Sequence, residues 1–478
     1  MNFTDLSFFL FFPIILLGYY LLPKKFRWMH LLLFSYIFYA FHNVQLLFLI
    51  MITTGVSYLC GLAMEHFPDS RKKRKILLTA TIVCLGILFF FKYLNFTLSS
   101  VATLLSYFHI HWNFKELSIL LPVGISFYTF QTLSYVIDVY QGKIPAEKHF
   151  GYYALYVVFF PQLVAGPIER PAFLLPQLKK ISFATSGELS TGLLLLLRGY
   201  AKKMVLADYL ASFVDTAYGQ PATAGGMALF TATILFAIQI YCDFSGYTDI
   251  ARGLASFFGV QLSENFRSPY QAVSIRDFWK RWHISLTKWF TDYVYIPLGG
   301  NQKGRLLHYR NILLTFLISG LWHGADFTYI IWGGLHGIFL ILENIFTKTM
   351  NKIYLFPQIL RQAFTFLLVC LAWIFFRADN LNHALLILKE IFTHPHISGF
   401  YAGLGANNLQ ILIILLLLLF FHFLEKLPVC RHSEEFLNQT HSAGRLLLLY
   451  FSLLLTIFIC HCLLLNEHGA ATFLYFQF

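Results

Sequence analysis

Charged side chains are scarce in this chain. They make up 12% of its 478 residues, whereas 58% of the residues are hydrophobic. Soluble domains carry about a quarter charged residues, and no polar stretch here is long enough to build a water-soluble core. The composition therefore excludes a soluble globular protein and predicts one all-α, polytopic membrane domain over residues 1–478.

Several kinds of binding motif are also missing. The seven cysteines are scattered and form no CxxC pair, which argues against structural zinc. There is no glycine loop of the kind that cradles phosphates and no internal repeat. The net charge of +12 comes mostly from basic residues that flank apolar runs. This distribution argues against nucleic-acid binding and favours membrane topology and contact with anionic lipid, with docking of an acidic ligand or carrier as the alternative.

Long apolar runs are abundant. A spanning helix needs about 20 mostly apolar residues, so ten or more spans, some short or broken, fit the chain. The runs cover residues 6–22, 28–41, 44–62, 76–91, 226–241, 311–321, 329–342, 363–376, 409–424 and 446–465. We divide the predicted domain into N-terminal helices (1–110), a catalytic core (117–345) and C-terminal helices (355–478).

Two basic clusters predict the orientation. Lys24, Lys25 and Arg27 follow the first apolar run, and residues 71–75 are RKKRK. The positive-inside rule puts both clusters in the cytoplasm and the N-terminus outside. The first run has no basic residue before it and no small-x-small site after it, so we expect a span rather than a cleavable signal peptide.

Polar residues concentrate in the middle of the chain, in LPVGIS (121–126), FPQLVAGPI (160–168) and YCDFSGYTD (241–249). Irregular backbone at membrane depth is tolerated where it is buried in protein or lines a cavity. These segments are interpreted either as helix ends and caps or as walls of a water-filled tunnel. In the third of them, two carboxylates are expected to end an apolar span.

Residues 274–295 predict one helix that lies at the interface or re-enters the membrane. Its apolar stripe comprises Trp279, Trp282, Leu286, Trp289 and Tyr293, and its polar stripe comprises Arg276, Lys280, His283 and Thr287. The basic groups would suit phosphates of a nucleotide-like donor or of lipids. From the residues alone, His283 is either a functional group or a hydrogen-bonded structural histidine.

A second histidine, His323, lies in GLWHGAD (320–326). A single helix over residues 311–342 would be longer than the bilayer core is thick, so we expect it to tilt, break or bend, with this segment as the natural place. Gly320 and Gly324 would admit close backbone approach, and Asp326 would cap a restarted helix or orient the imidazole. His336 lies thirteen residues on, about 140° around an ideal helix, and is expected to be structural.

Taken in order, several motifs resemble the membrane-bound O-acyltransferases, and among them the bacterial alginate O-acetyltransferase type. They are LPVGISF (121–127), FPQLVAGPI (160–168), DFSGYTD (243–249), ENF (264–266), DFWKRWHISL (277–286), IPLGGN (296–301), GLWHG (320–324), WIFFRA (373–378) and YFQF (475–478). The resemblance implies a ring of about 11 or more transmembrane helices, with re-entrant or interfacial helices, around a central tunnel. It also implies that His323 is the essential catalytic histidine and His283 its second characteristic histidine.

The resemblance further implies an O-acyltransferase of the bacterial cytoplasmic (inner) membrane. Its donor would be a thioester on coenzyme A or a carrier protein, with no permanently bound cofactor and no metal. The acyl group, acetyl in this branch, would pass across the membrane to a separate extracytoplasmic O-acetyltransferase that modifies a polysaccharide. The tunnel and substrate-binding residues would be Trp322, Trp282, Arg281, Asp326 and Asn311. The residues that bind donor phosphates would be Arg276 and Lys280.

Two alternatives remain at this stage. D-Alanine from a carrier protein could replace acetate, with teichoic acid as its destination. The chain could instead be a transporter, since broken helices and intramembrane polar groups would look similar there. A transporter needs no particular imidazole at a thioester, so the effect of replacing His323 separates the two classes.

Overall fold

The computed structural model describes residues 1–41, 43–67, 69–110, 112, 114–346, 356–397, 399–426 and 455. This part of the chain is helical and contains no strand, which confirms the all-α class. The predicted run at 446–465, except Leu455, and the YFQF motif at 475–478 lie outside the described residues.

The chain divides into two compact units, Met1–Glu188 with Leu254–Ser263, and Leu189–Gly253 with Glu264–Phe478. The single domain over 1–478 and its three predicted parts stay predictions. Helices that lie in the first unit are Leu6–Leu21, Lys24–Ala40, Val44–Leu46 (3-10), Leu47–His66, Ser70–Leu88, Phe89–Tyr93 (π), Leu94–Tyr107, Ile125–Tyr140, Phe150–Val158, Phe160–Leu163 and Pro171–Lys179.

The remaining helices belong wholly or mainly to the second unit. They are Ser186–Tyr200, Ala201–Ala207 (π), Asp208–Gly219, Pro221–Ala224, Gly226–Ser256, Pro269–Gln271 (3-10), Ile275–Trp279, Ile284–Phe290, Thr291–Tyr295 (π), Arg305–His323, Phe327–Ile345, Gln358–Arg377, Leu381–Thr393, Phe400–Leu404 and Asn408–Lys426.

Five described helical segments are long and apolar enough to cross a membrane: Val44–His66, Ser70–Tyr107, Gly226–Ser256, Phe327–Ile345 and Gln358–Arg377. Leu6–Leu21 and Asn408–His422 are apolar but shorter. The protein is therefore a multi-pass membrane protein, and the count of about 11 or more spans stays a prediction.

In the first unit, the polar motifs bind buried backbone groups. The side-chain amides of Gln131 and Gln162 both donate to the carbonyl oxygen of Tyr156, at 2.6 and 2.9 Å. Gly124, at φ +74°, precedes the Ile125–Tyr140 helix, and a Cβ there would lie 2.7 Å from the Leu163 carbonyl oxygen. A buried polar group costs free energy unless it is hydrogen-bonded. These glutamines therefore satisfy a backbone acceptor at the irregular segment.

In the second unit, the expectation that Asp243 and Asp249 end an apolar span is wrong. Both lie within the 31-residue helix Gly226–Ser256. Asp243 binds Lys203 at 2.6 Å, and Asp249 binds Arg198 and Lys202 at 2.5 and 3.1 Å. The helix continues because these cations neutralise carboxylates that would otherwise be costly at membrane depth.

The two helices that supply these ions pack closely. A Cβ at Gly199 would lie 2.6 Å from the Gly246 carbonyl oxygen, and a Cβ at Gly253 would lie 2.8 Å from that of Gly192. Small residues at such a crossing let the backbones approach. The close approach at these glycines brings the basic side chains within reach of the carboxylates. It also fixes the position of the Gly226–Ser256 helix, which carries Phe244.

Candidate active site

His323 is the last residue of the Arg305–His323 helix and is 3% exposed. Its ring centroid lies 4.9 Å from that of Trp322, 5.0 Å from that of Trp332 and 5.4 Å from that of Phe376. The imidazole is thus enclosed by aromatic rings at the point where the helix ends.

The predicted break in the 311–342 segment is confirmed. One helix ends at His323 and the next, Phe327–Ile345, begins after Asp326, whose side chain accepts a hydrogen bond from the Thr328 amide at 2.8 Å. Asp326 is therefore the N-cap of the restarted helix. Its other expected role, orienting the imidazole, stays a prediction.

Glycines hold the two helices of this hairpin together. A Cβ at Gly320 would lie 2.2 Å from the carbonyl oxygen of Tyr329, and one at Gly324 would lie 2.0 Å from the Tyr329 ring. On the facing helix, a Cβ at Gly333 would lie 2.2 Å from the carbonyl oxygen of Phe316. The close approach expected for Gly320 and Gly324 is present, and it positions His323 against the second helix.

The prediction of one helix over residues 274–295 is wrong. The segment forms helices Ile275–Trp279 and Ile284–Phe290, with a π-helix at Thr291–Tyr295. Between the first two, His283 adopts a left-handed backbone, φ 42° and ψ 55°, and its side chain is fully buried. The 3.6-residue period therefore does not hold across the break, and His283 does not share an exposed stripe with Arg276 and Lys280.

A neighbouring segment holds His283 in place. Asn265 Oδ1 lies 3.1 Å from His283 Nδ1, and the Asn265 carbonyl oxygen accepts from the Ile284 amide at 2.9 Å. The Arg267 amide donates to the Arg281 carbonyl oxygen at 2.9 Å. Residues 265–267 thus run beside residues 281–285 and satisfy backbone donors at the start of the Ile284–Phe290 helix.

The two histidines are brought together. Their ring centroids lie 6.4 Å apart, and the Trp322 ring lies 6.1 Å from His283 and 4.9 Å from His323. His283 lies outside the candidate membrane-spanning helices, and its burial holds the pKa of the imidazole well below its usual value. It is therefore neutral at physiological pH, so one of its ring nitrogens carries a proton and the other a lone pair.

Several aromatic residues of the site were not assigned a role from the sequence. The Trp332 ring lies 5.0 Å from His323, 5.8 Å from Trp373 and 5.1 Å from His336. Trp282 stacks on Phe278 at 5.5 Å and lies 5.1 Å from Trp373. His336 accepts a hydrogen bond from the Trp279 indole at 3.3 Å. The angle of about 140° expected between His323 and His336 does not apply, because the helix ends between the two residues.

Asn311 lies elsewhere on the His323 helix. Its side-chain amide donates to the carbonyl oxygens of Gly300 and Leu298, at 2.9 and 3.3 Å. Twelve residues separate it from His323, a rise of about 18 Å. Asn311 therefore anchors the glycine-rich IPLGGN loop, and its expected role in the tunnel stays a prediction.

The two basic residues expected to bind donor phosphates and the basic residue expected in the tunnel differ in their surroundings. Arg276 and Lys280 are exposed, and Arg281 is partly buried. Arg276 binds Glu343 and Asn344, and Arg281 donates to Asp277 at 2.9 Å. Arg276 therefore has partners at the end of the Phe327–Ile345 helix, and Arg281 has a partner on its own segment.

No group of three or more His, Cys, Asp or Glu side chains suited to a metal ion occurs among the described residues. The arrangement instead offers two buried imidazoles in an aromatic enclosure. An imidazole can accept or relay a proton from a hydroxyl group.

Known proteins resemble this chain over half or more of its length. It is 38% identical to the probable alginate O-acetylase AlgI of Pseudomonas putida, with 99% of each chain covered. It is 38% identical to the peptidoglycan O-acetyltransferase of Helicobacter pylori, over 81% of this chain and 78% of that protein. It is 28% identical to the teichoic acid D-alanyltransferase of Bacillus subtilis, over 55% of this chain and 70% of that protein.

A model of the membrane-bound O-acyltransferase family matches residues 144–383, a range that contains both histidines and Asn265. The family match and the near-complete overlap with the first relative agree with the motifs and with the all-helical, multi-pass architecture. The chain is therefore an acyltransferase that belongs to the membrane-bound O-acyltransferase family.

Proposed function

We propose that this protein transfers an acetyl group from a cytoplasmic thioester towards the O-acetylation of an extracytoplasmic polysaccharide, with His323 as the catalytic base. The observation that carries the proposal is the pair of buried imidazoles, 6.4 Å apart, within the family's matched range. Buried ionisable groups are costly in free energy, and they cluster at functional sites.

In the proposed reaction, His323 takes the proton of an acceptor hydroxyl while that oxygen attacks the thioester carbonyl carbon. A C–O bond forms, the C–S bond breaks, and the proton passes from His323 to the departing sulfur, which leaves as a thiol. General-base catalysis contributes about 10²–10⁴-fold, so positioning of the two substrates supplies much of the remainder. His283 orients the donor or binds the oxyanion.

The aromatic enclosure supports a second element of the proposal. Trp282 and Trp322 are 1% and 4% exposed, and Trp322 contacts both histidines. Exclusion of water protects a thioester from hydrolysis and strengthens electrostatic interactions at the reacting atoms. We assign these two indoles to the wall of the central tunnel.

At the donor end, Arg276, Lys280 and Arg281 attract the phosphates of coenzyme A or of a carrier-protein prosthetic group. Of the three, the exposed Lys280 is the residue best placed to bind a donor phosphate, since Arg276 and Arg281 already bind acidic side chains. No permanently bound cofactor is part of the proposal. By the positive-inside rule, the basic clusters at Lys24, Lys25, Arg27 and 71–75 support cytoplasmic loops at these positions and an external N-terminus, in the inner membrane of a bacterium.

The choice of acetyl as the acyl group, and of a polysaccharide as its destination, is supported by the relatives. The acetylases of alginate and peptidoglycan are 38% identical over at least 81% of this chain, against 28% over 55% for the D-alanyltransferase. This difference favours acetate over D-alanine, which remains the alternative. The final transfer to the glycan is assigned to a separate extracytoplasmic O-acetyltransferase as partner.

The decisive experiment uses purified protein in vesicles with labelled acetyl-CoA, and compares wild type with His323→Ala. We expect transfer in wild type and a loss of about 10²-fold or more in the variant. His308→Ala is the matched control, because His308 lies on the same helix and binds the Tyr295 hydroxyl at 2.8 Å. It should keep its activity.

Equal turnover in wild type and His323→Ala would remove His323 from catalysis. A parallel reaction with an acyl-loaded carrier protein separates the two donors. Turnover only with a D-alanyl carrier would replace acetate by D-alanine.

A further inference from the structure

One side-chain oxygen ties His283 to the segment that precedes it in sequence. Asn265 Oδ1 lies 3.1 Å from His283 Nδ1, 3.1 Å from the Ser285 amide nitrogen and 2.9 Å from Ser285 Oγ. Asn265 is 1% exposed and His283 is fully buried. Bulk water therefore does not compete for these hydrogen bonds.

The orientation of the Asn265 amide follows from the Ser285 backbone. A backbone N–H can only donate a hydrogen bond, so the atom that it meets is the oxygen of the amide. If the amide were turned over, its NH₂ group would face the Ser285 N–H, and two donors would oppose each other. The Ile284 amide, which donates to the Asn265 carbonyl at 2.9 Å, holds the residue from its backbone side.

This orientation decides which nitrogen of His283 carries the proton. An amide oxygen has no hydrogen to give, so His283 Nδ1 is the donor in the 3.1 Å contact. In a neutral imidazole, the other nitrogen then holds a lone pair. Nε2 of His283 is accordingly an acceptor.

The backbone at His283 also depends on Asn265. A non-glycine residue in the left-handed region is strained and persists where its surroundings hold it. His283 has φ 42°. Asn265 accepts hydrogen bonds from the backbone amides of the two residues that follow His283 in sequence, Ile284 and Ser285, and it also binds the His283 ring. One residue therefore fixes the backbone, the ring and the tautomer of His283.

We propose that Asn265 is a positioning residue that holds His283 with its proton on Nδ1, so that Nε2 accepts a hydrogen bond or a proton from a substrate. The inference rests on the proposed function and narrows the role of His283 within it. Of the two roles considered for His283, binding the oxyanion requires an N–H donor, which Nε2 does not supply. His283 instead orients an O–H or N–H group, either the acceptor hydroxyl or an amide of the donor's pantetheine arm.

The first test measures the tautomer in the wild-type protein without substrate. Protein labelled with ¹⁵N-histidine in lipid bilayers is examined by solid-state NMR, and the His283 signals are assigned by their loss in His283→Gln. We expect a protonated Nδ1 and an unprotonated Nε2. A protonated Nε2 overturns the proposal. Since this measurement needs no turnover, its failure is distinct from a failure of acetyl transfer.

The second test compares two substitutions at Asn265. Asn265→Asp keeps an oxygen acceptor for Nδ1, whereas Asn265→Leu removes it. We expect kcat to fall by about 10²-fold or more in Asn265→Leu and Asn265→Asp to keep the wild-type tautomer and much of the activity. Donor KM separates the two substrate groups: a rise in Asn265→Leu indicates the donor amide, and a fall in kcat alone indicates the acceptor hydroxyl.

The pH dependence of the rate distinguishes the two roles of Asn265, because a purely structural role would leave that dependence unchanged. A carboxylate at position 265 raises the pKa of His283, so Nε2 becomes protonated at a higher pH and the acid limb of the rate shifts upward. The rings against His283 are those of Phe244, Phe266, Trp322 and His323, and the ionisable group among them is the His323 imidazole. The carboxylate next to Phe244, Asp243, is bound to Lys203.

Ser285→Ala is the matched control, because it removes a donor to the same Asn265 oxygen without touching the His283 ring. It should keep the tautomer, the pH profile and most of the activity. An unshifted pH profile in folded Asn265→Asp, or an unchanged His283 tautomer in folded Asn265→Leu, contradicts the proposal. If neither variant folds, the wild-type spectrum alone decides it.

Discussion

The imidazole rings of His283 and His323 lie 6.4 Å apart, although forty residues separate them in sequence. They reach this distance from two chain breaks, one before the Ile284–Phe290 helix and one after the Arg305–His323 helix. Each break frees its histidine from a regular helix face. The pair is thus a product of two local interruptions that packing brings together.

Because the two rings share one enclosure, their substitutions should not be additive. We expect His283→Gln and His323→Ala each to reduce transfer strongly, and the double variant to be little worse than His323→Ala alone. Initial rates of the four proteins form the cycle. Fully multiplicative losses would indicate that the two histidines act independently.

Gly320 should not tolerate a side chain. A Cβ there would lie 2.2 Å from the Tyr329 carbonyl oxygen, so Gly320→Ala should push the hairpin apart, at a cost of about 1–3 kcal/mol. Thermal unfolding in detergent measures the loss. Gly86→Ala is the control, since Gly86 is helical and a Cβ there meets no atom within 4 Å; its unfolding temperature should be unchanged or higher.

Lys203 should be needed for folding. Its ammonium binds Asp208 at 2.7 Å and Asp243 at 2.6 Å, and its side chain is 6% exposed. Lys203→Met would remove the cation that binds two buried carboxylates, and breaking a buried ion pair costs about 3–5 kcal/mol. We expect a lower unfolding temperature and a reduced yield of folded protein. Lys203→Met with Asp243→Asn should recover part of the loss, and no recovery would contradict this pairing.

The exposed cations should affect donor binding rather than chemistry. Removing all three charges, in Arg276→Gln, Lys280→Gln and Arg281→Gln together, should raise donor KM at low salt with a smaller change in kcat. Salt should diminish the difference, because it screens exposed charges. Lys288→Gln, at an exposed position of the next helix, is the control. An unchanged donor affinity in the triple variant would remove these residues from the donor site.

Trp322 should protect the thioester from water. Its indole contacts both histidines, so Trp322→Ala opens space beside the reacting atoms. We expect acetyl-CoA hydrolysis without acceptor to rise relative to transfer, since water then reaches the thioester. Release of free coenzyme A with and without acceptor measures the ratio. A ratio equal to that of wild type would show that the indole does not exclude water.

The sequence determined the class of the protein and some local features of its site. Scarcity of charge and repeated apolar runs specify a helical membrane protein, because backbone groups in lipid must pair within helices. The break after His323 and the cap at Asp326 were predictable, since glycines and an N-cap act on their immediate neighbours. The histidine pair itself was identified through the ordered motifs rather than from spacing.

Tertiary structure decided what those local signals could not. The 3.6-residue pattern over 274–295 predicted one helix, yet Asn265, eighteen residues before His283, stabilises a left-handed turn there. Lys203 neutralises Asp243 forty positions away, so a helix with a buried carboxylate continues. Such contacts join residues that are distant in sequence, and they form only when the folded chain brings those residues together.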